Sequence, residues 1–167
     1  VITFSAGMEI LNGDIITTKA SDNKAGVFVA AATLHYLDKE KIDANVYAVS
    51  SVQEEIGLRG AKTSAYGIDP HVGIAVDVTF ATDYPDTDKK KFGEVFLEKG
   101  PVLAIGANIN SKVLTMLKQA AKNKKIDVQF DAAPRATGTD ANAIQINRSG
   151  VATGLVSIPN RYMHTPS

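Results

Sequence analysis

Continuous apolar runs, rather than strict alternation of apolar and polar residues, mark the segments of this sequence that favour β-strands. Three such runs cover residues 44–52 (ANVYAVSSV), 71–79 (HVGIAVDVT) and 151–159 (VATGLVSIP). Strands of this composition are typical of sheets that are covered on both faces. Residues 126–133 (IDVQFDAA) are predicted to form another strand, and short β-like runs around the Asn-Gly pair at 12–13 predict a hairpin.

Apolar residues at helical spacing lie between these runs. In residues 21–39, apolar residues recur with a helical period from Val27 onward, and either Ser21 or Asp22 is expected to cap the helix. The same reasoning about spacing, caps and glycine boundaries applies to three further segments. Helices are therefore also predicted at 57–67, 110–125 and 138–150.

The alternation of strands and helices predicts an α/β fold. We expect a three-layer α/β/α sandwich around a mostly parallel or mixed sheet. The polar stretch 81–94, which contains Pro85, is expected to be an exposed excursion. A chain of 167 residues is enough for one domain with a sizeable core, so residues 1–167 are predicted to form a single domain.

Composition narrows the possible functions. Lys plus Arg equals Asp plus Glu at 18 each, so no global field attracts nucleic acid or an anionic membrane, and neither is expected as a partner. No apolar stretch is long enough to span a bilayer, and no basic-then-apolar signal segment is present. The sequence has no cysteine, which excludes disulfides and thiolate metal sites and fits a cytoplasmic protein. Any metal would be held by carboxylate and imidazole groups, which suits Zn, Mn or Co.

Acidic and imidazole side chains stand at or near the ends of the predicted elements. Glu54 and Glu55 follow the run at 44–52, and Asp77 comes late in the run at 71–79. His164 follows the last predicted strand, and Asp22 lies at the start of the first helix. Because polar groups at the carboxyl ends of parallel strands line the ligand crevice of such sheets, these side chains could converge on one site.

Each candidate also has an ordinary structural explanation. Asp22 could be a helix N-cap, and Asp77 could belong to a buried salt bridge, since an unpaired carboxylate in an apolar strand is costly. The two glutamates could form a solvated loop edge, and His164 could be a hydrogen-bonded loop residue. His35 and His71 are left with such structural roles.

Taken together, the candidates suggest metal-assisted hydrolysis. Two divalent ions about 3.5–4 Å apart need a bridging carboxylate, further acidic and imidazole ligands and room for water. Adjacent glutamates suit this chemistry if one binds metal while its neighbour takes a proton from the water. Because consecutive side chains diverge in a strand, the pair must lie where the backbone turns, and Gly57 permits such a turn.

Five blocks of the sequence, in this order, resemble the TET and glutamyl aminopeptidase family of two-metal metallopeptidases. The similarity extends from about residue 7 to the end of the chain. The matching blocks are KASDNKAG, SSVQEEIGLRGA, AVDVT, GTDAN and SIPNRYMHTPS.

The resemblance implies a role for each matching residue. Asp22 corresponds to the carboxylate that bridges the two metals, and Glu54 to the general base. Glu55 and His164 correspond to ligands of the second metal, and Asp77 to a ligand of the first. Asp140, in the block GTDAN, is given only a supporting role, as a residue at the N-terminus of a helix.

The sequence also departs from the family pattern. The family has a further histidine ligand in an upstream His-x-Asp block, and a small β-rich dimerisation domain inserted before the part that matches here. Neither is present, and residues 1–8 are interpreted as the tail of the inserted domain. We therefore expect this chain to bind one metal better than two and to be weak or inactive as a peptidase by itself.

The function implied is a metal-dependent aminopeptidase that acts on peptide substrates, with zinc, cobalt or manganese at its centre and a homo-oligomeric full-length protein. Three alternatives remain open: a truncated fold that binds metal without turnover, a carbohydrate hydrolase, and a related two-metal enzyme that acts on acylated amino acids or carboxypeptidase substrates. Adjacent glutamates are poorly placed to flank a sugar, which disfavours the carbohydrate hydrolase. Residues 81–94 or 104–110 could build the pocket for the N-terminal side chain, but neither predicts its preference.

Overall fold

The computed structural model describes residues 7–165 of the chain. Within this part the chain forms six strands and five helices, which are numbered here in chain order. They are β1 (Glu9–Ile10), β2 (Ile16–Thr17), α1 (Ser21–Leu37), α2 (Arg59–Ile68), β3 (Val72–Phe80), α3 (Lys89–Phe92), β4 (Val102–Gly106), α4 (Ser111–Lys124), β5 (Gln129–Ala133), α5 (Asp140–Gln145) and β6 (Ala152–Asn160).

A mixed four-stranded sheet forms the centre of the fold, with strand order β3-β6-β4-β5. Strands β3 and β6 are parallel, as are β4 and β5, whereas β4 runs antiparallel to β6. In the long β3–β6 ladder, Asp77 lies opposite Ser157. The separate hairpin β1–β2 confirms the turn predicted at residues 12–13.

Helices cover both faces of the sheet. Gly73 of β3 is in close approach to Ile144 of α5, and Gly154 of β6 is in close approach to Val113 of α4. Since Gly73 pairs with Thr153, the residue before Gly154, the two glycines point to opposite faces, and so α4 and α5 lie on opposite sides. The predicted three-layer α/β/α sandwich is therefore confirmed.

The apolar core lies between β3, β4, β6 and α5. Its buried members are small or branched residues, which lets the helix approach the strands closely. They are Ala75, Ala104, Ile109, Ala141 and Leu155. No helix within residues 7–165 is both long and apolar enough to cross a membrane.

The prediction of a strand at residues 44–52 is wrong. Residues 44–52 form no strand, and most of their side chains are exposed, including Tyr47 and Val52. A run with β preference forms a strand only when a neighbour accepts its hydrogen bonds, and none of the strands in residues 7–165 pairs with it. The segment is tied to the fold at its end, where the amide of Gly60 donates to the carbonyl of Val52 over 2.8 Å.

The capping prediction for α1 is also wrong. Asp22 and Asn23 have non-helical backbone angles, and neither Ser21 nor Asp22 caps the helix. Instead the side-chain oxygen of Asn23 accepts from the amide of Gly26 over 2.9 Å, which is the geometry of an N-cap. The amide group of the same side chain donates to the carbonyl of Val76 on β3 over 2.8 Å. Asn23 therefore starts the regular helix and fixes it to the sheet, while the carboxylate of Asp22 is left available for other contacts.

Two further differences concern shorter elements. Strand β4 was not predicted, because its run of five residues follows Pro101, ends in Gly106 and is too short to stand out. The helix predicted at 138–150 is confirmed only as α5, which ends at Gln145, and the chain then turns toward Gly150. The interpretation of residues 1–8 as a domain tail falls largely outside the described residues and stays a prediction.

Candidate metal centre

Asp22, Glu55 and His164 meet in space although they come from three separate parts of the chain. Nε2 of His164 lies 3.3 Å from Oδ2 of Asp22 and 3.6 Å from Oε2 of Glu55. One ligand atom from each residue lies within 4.8 Å of the other two. They form one wall of a cavity of about 240 Å³ that is also lined by Asn160 and Tyr162.

The ends of α1 and β6 bring Asp22 and His164 together. The side-chain amide of Asn160, the last residue of β6, donates to Oγ of Ser21 over 2.9 Å. Ser21 precedes Asp22, so this bond fixes the start of α1 beside the end of β6. Beyond Asn160 the chain turns, and the amide of Thr165 donates to the carbonyl of Tyr162 over 3.1 Å, which places His164 inside a tight turn.

Residues 51–58, called the glutamate loop here, carry Glu54 and Glu55. The amides of Gly57 and Leu58 both donate to the carbonyl of Glu54, at 3.0 and 2.9 Å, so the backbone turns directly after the pair. Gly57 has φ of 123°, a conformation that favours glycine. The turn predicted from the sequence is thus present, and the two carboxylates need not point in opposite directions as they would in a strand.

The Glu54 carboxyl group is in an unusual electrostatic environment. Partial burial, followed by the negative charges of Asp77, Asp140, Glu55 and Asp22, raises the pKa of Glu54 to about 7. The first cause disfavours the charged form because water is withdrawn from it, and the others because like charges repel. A carboxyl group with a pKa near neutrality can both accept and return a proton at physiological pH.

Asp77 lies near the cluster but does not belong to it. Its side chain is buried, at 8% exposure, and its Oδ1 accepts from the amide of Val78 over 2.9 Å. Burial raises the pKa of Asp77 to about 6, with smaller contributions from Asp22, Asp140 and Glu55, against the lowering effect of the Val78 amide. No salt bridge involves Asp77 within residues 7–165, so the ordinary explanation considered for it does not hold in the described part.

Asp140 begins α5, as predicted, and also contacts the glutamate loop. Oγ of Ser51 donates a hydrogen bond to Oδ2 of Asp140. The other oxygen, Oδ1, is buried and has no hydrogen-bond partner within the described residues. Sequence reasoning did not single out Ser51, since a serine beside two glutamates carries no spacing or charge pattern that distinguishes it.

The cluster has the chemistry of a divalent metal site. Two carboxylates and one imidazole match the oxygen and nitrogen donors that zinc prefers, and the same set serves cobalt or manganese. Three ligand atoms so close together, with no cationic side chain among them, leave two negative charges that a metal ion would balance. The residues present therefore fit the metal that the sequence implies.

Comparison with known proteins identifies the family. A family model described as M42 glutamyl aminopeptidase matches residues 1–167, which is the whole chain. The chain belongs to the M42 family. The resemblance noted in the sequence is therefore confirmed, and the carbohydrate hydrolase alternative is not favoured.

Individual M42 relatives agree with this assignment. The lysyl aminopeptidase of Pyrococcus furiosus is 54% identical over 123 residues, which cover 74% of this chain and 35% of the relative. The structure of an aminopeptidase from the archaeon Desulfurococcus kamchatkensis superposes with a TM-score of 0.88 and 42% identity, covering 98% of this chain and 46% of that chain. TET1 peptidase of Pyrococcus horikoshii is described as assembling into a tetrahedron or a large octahedral shell. Its structure superposes with a TM-score of 0.72 and 26% identity, covering 98% of this chain and 47% of that chain. The chain thus spans a third to a half of the length of these relatives.

Proposed function

We propose that this chain supplies the metal-binding core of an aminopeptidase that removes N-terminal residues from peptides. The observation that carries the proposal is the convergence of Asp22, Glu55 and His164, directly beside Glu54. Membership of the M42 family supports it, because the relatives described above are aminopeptidases. The chain alone is proposed to be part of a catalytic domain, since it spans only part of those relatives.

In this proposal Asp22, Glu55 and His164 hold one divalent ion, and Asp77 together with the bridging Asp22 contributes to a second. Zinc suits these donors best, and cobalt or manganese would also fit. A bound ion would polarise the scissile carbonyl and make a nearby water more acidic. No histidine in the sequence lies in a His-x-Asp block, so we expect one ion to bind more tightly than the other.

Glu54 is proposed to move the proton. Its carboxylate takes a proton from the attacking water and then returns it to the nitrogen of the leaving amine, so the group ends each cycle in the form in which it began. Its raised pKa, about 7, suits both steps. The neighbouring Glu55 does not take this role here because its carboxylate already faces His164.

The site suits a peptide with a free N-terminus. A bound metal ion, together with nearby acidic groups, would anchor the free α-amino group of the substrate, which would restrict cleavage to the first residue. For the complete enzyme we propose a homo-oligomer, supported by the assembly described for the TET1 peptidase of P. horikoshii. A cytoplasmic location stays a prediction.

Metal content measured by mass spectrometry tests the proposal. The chain, loaded with zinc and desalted, is compared with a Glu55→Ala, His164→Ala double variant and with a control, Glu40→Ala, His35→Ala, which removes the same residue types from exposed positions. About one equivalent in the chain and in the control, with none in the double variant, supports the site. Equal content in all three proteins overturns it.

Hydrolysis separates an enzyme from a fold that only binds metal. Aminoacyl p-nitroanilides with lysyl, glutamyl and leucyl groups are offered to the zinc-loaded chain, alone and joined to the upstream His-x-Asp block of a relative. Release of p-nitroaniline that a chelator abolishes supports the aminopeptidase. Zinc binding without hydrolysis in both forms supports the alternative of a binding fold.

A further inference from the structure

The hydrogen bond between Ser51 and Asp140 connects the glutamate loop to the packed part of the fold. The two residues are 89 positions apart in the chain, and the contact is partly buried. Asp140 belongs to α5, which packs against β3 and β6 and contributes Ala141 to the core. Ser51 shortly precedes Glu54 and Glu55 in the chain, so the bond acts close to both carboxylates.

The other hydrogen bonds of the glutamate loop are made by its backbone, within the loop and to the start of α2. Residues 44–50, which lead into it, are exposed and form no strand within the described part of the chain. Just before the glutamates, the carbonyl of Val52 accepts from the amide of Gly60 over 2.8 Å, and that of Gln53 from the amide of Arg59 over 3.3 Å. The carbonyl of Glu54 accepts from the amides of Gly57 and Leu58. Within the described residues, the Ser51–Asp140 bond is therefore the side-chain hydrogen bond that joins the glutamate loop to α5, whereas the backbone bonds join the loop to the start of α2.

The charge of Asp140 strengthens this contact. A hydroxyl group that donates to a carboxylate makes a shorter and stronger bond than it would to a neutral acceptor. Oδ1 of Asp140 is buried without a hydrogen-bond partner in the described residues. Burying this oxygen costs free energy of desolvation, and a residue that only began a helix could avoid that cost. Thr139, and not Asp140, occupies the N-cap position, and thus capping does not explain the carboxylate.

We propose that Asp140 is a positioning residue that, through Ser51, holds Glu54 and Glu55 in place for the metal centre. Positioning of the loop rests on the geometry described here, whereas its consequence for metal binding rests on the proposed function. The two parts are tested separately, first in the metal-free chain and then with zinc.

Hydrogen exchange in the metal-free chain tests the positioning. In Ser51→Ala and Asp140→Ala, the amides of Gly57 and Leu58 are expected to exchange about tenfold faster, whereas those of α4 stay unchanged. Ser51→Thr keeps the hydroxyl and is expected to restore the slow exchange. Asn108→Ala is the matched control, because it removes a different side-chain hydrogen bond to α5, that of Asn108 to Asn142 at 3.0 Å.

Zinc affinity, measured by competition with a chromophoric chelator, tests the consequence. Ser51→Ala is expected to weaken binding about tenfold, Ser51→Thr to restore it, and the Ser51→Ala, Asp140→Ala double variant to be little weaker than Asp140→Ala. Unchanged exchange and affinity in Ser51→Ala would overturn the inference, even if Asp140→Ala failed to fold. Faster exchange in a chain that binds no zinc, with or without the substitutions, would support the positioning and overturn the proposed function instead.

Discussion

Asn160 and Ser21 lie 139 residues apart in the chain and are joined by a hydrogen bond of 2.9 Å. The bond connects the end of β6 to the start of α1, immediately before Asp22. The positions of Asp22 and His164 therefore depend on a contact between two residues that bind no metal themselves. Polar neighbours of this kind orient metal ligands in many proteins.

Replacing Asn160 with alanine tests this dependence. We expect Asn160→Ala to lower the zinc affinity of the chain about tenfold, because the ends of α1 and β6 are no longer fixed together. The free energy of unfolding should fall by only about 1 kcal/mol, the usual net worth of one hydrogen bond. Chelator competition and urea unfolding of the metal-free chain measure the two effects. Unchanged affinity together with lower stability would show that the bond serves the fold alone.

Glu54 and Glu55 are expected to respond differently to the same change. Glu54→Gln should leave zinc content unchanged and lower kcat of the complete enzyme by about 10²–10⁴-fold, since the amide cannot accept the proton. Glu55→Gln should lower zinc content, because a ligand is removed. Metal analysis and p-nitroanilide hydrolysis distinguish the two variants. Reversed outcomes would exchange the roles assigned to the pair.

The surroundings of Asp83, outside the metal centre, predict that the stability of the chain depends on pH. Burial raises the pKa of Asp83, but the Arg161 guanidinium and the Leu97 amide, which both donate hydrogen bonds to it, outweigh burial. The net shift is below the ordinary value of 3.8. A depressed folded pKa stabilises the protein above the unfolded pKa, and this stabilisation is lost as pH falls through the folded pKa.

The expected change therefore lies below about pH 4. Urea unfolding of the chain should show stability decreasing there, whereas Asp83→Asn should be less stable at pH 7, by about 2 kcal/mol, and flatter below pH 4. Asp86→Asn, at an exposed neighbouring position, serves as the control. Parallel pH profiles for the chain and for Asp83→Asn would contradict the role assigned to the Arg161–Asp83 ion pair, whose shortest distance is 2.7 Å.

Gly26 is expected to tolerate no side chain. A Cβ at this position would overlap the side-chain oxygen of Asn23 and lie 2.6 Å from the carbonyl oxygen of Val76. The side chain of Asn23 donates to that carbonyl and so joins α1 to β3. Gly26→Ala should therefore destabilise the chain by about 1–3 kcal/mol. Gly67→Ala in α2, where a Cβ would meet no atom within 4 Å, should instead stabilise it by about 0.5–1 kcal/mol. Thermal unfolding of both variants measures the difference, and equal shifts would contradict the close approach.

The sequence alone predicted the layers and most of the strands, because continuous apolar runs and helical spacing are local features. It failed at 44–52, where the composition favours a strand but no strand of residues 7–165 pairs with the segment. Strand formation depends on a partner that composition does not reveal. The short β4 was missed for the opposite reason. Its five residues show no clear strand pattern, and pairing with β5 and β6 makes the segment a strand.

The members of the candidate site were predicted because carboxylate and imidazole groups at element ends are recognisable in a sequence. Their mutual distances were not predictable, and Asp77 lies near, but not within, the cluster that Asp22, Glu55 and His164 form. The supporting contacts were missed altogether. Ser51 and Asn160 are ordinary polar residues, and only their partners, far away in the chain, make them part of the site.

The cluster takes Asp22 from near one end of the described chain and His164 from near the other. An ion bound there would therefore act as a crosslink that closes a loop containing most of the protein. Because the three ligands are brought together only in the folded chain, the free energy of binding the ion would add to the stability of the fold. Metal removal would then do more than empty the site, because it would loosen the segments around Asp22 and His164 at once and expose them to proteases.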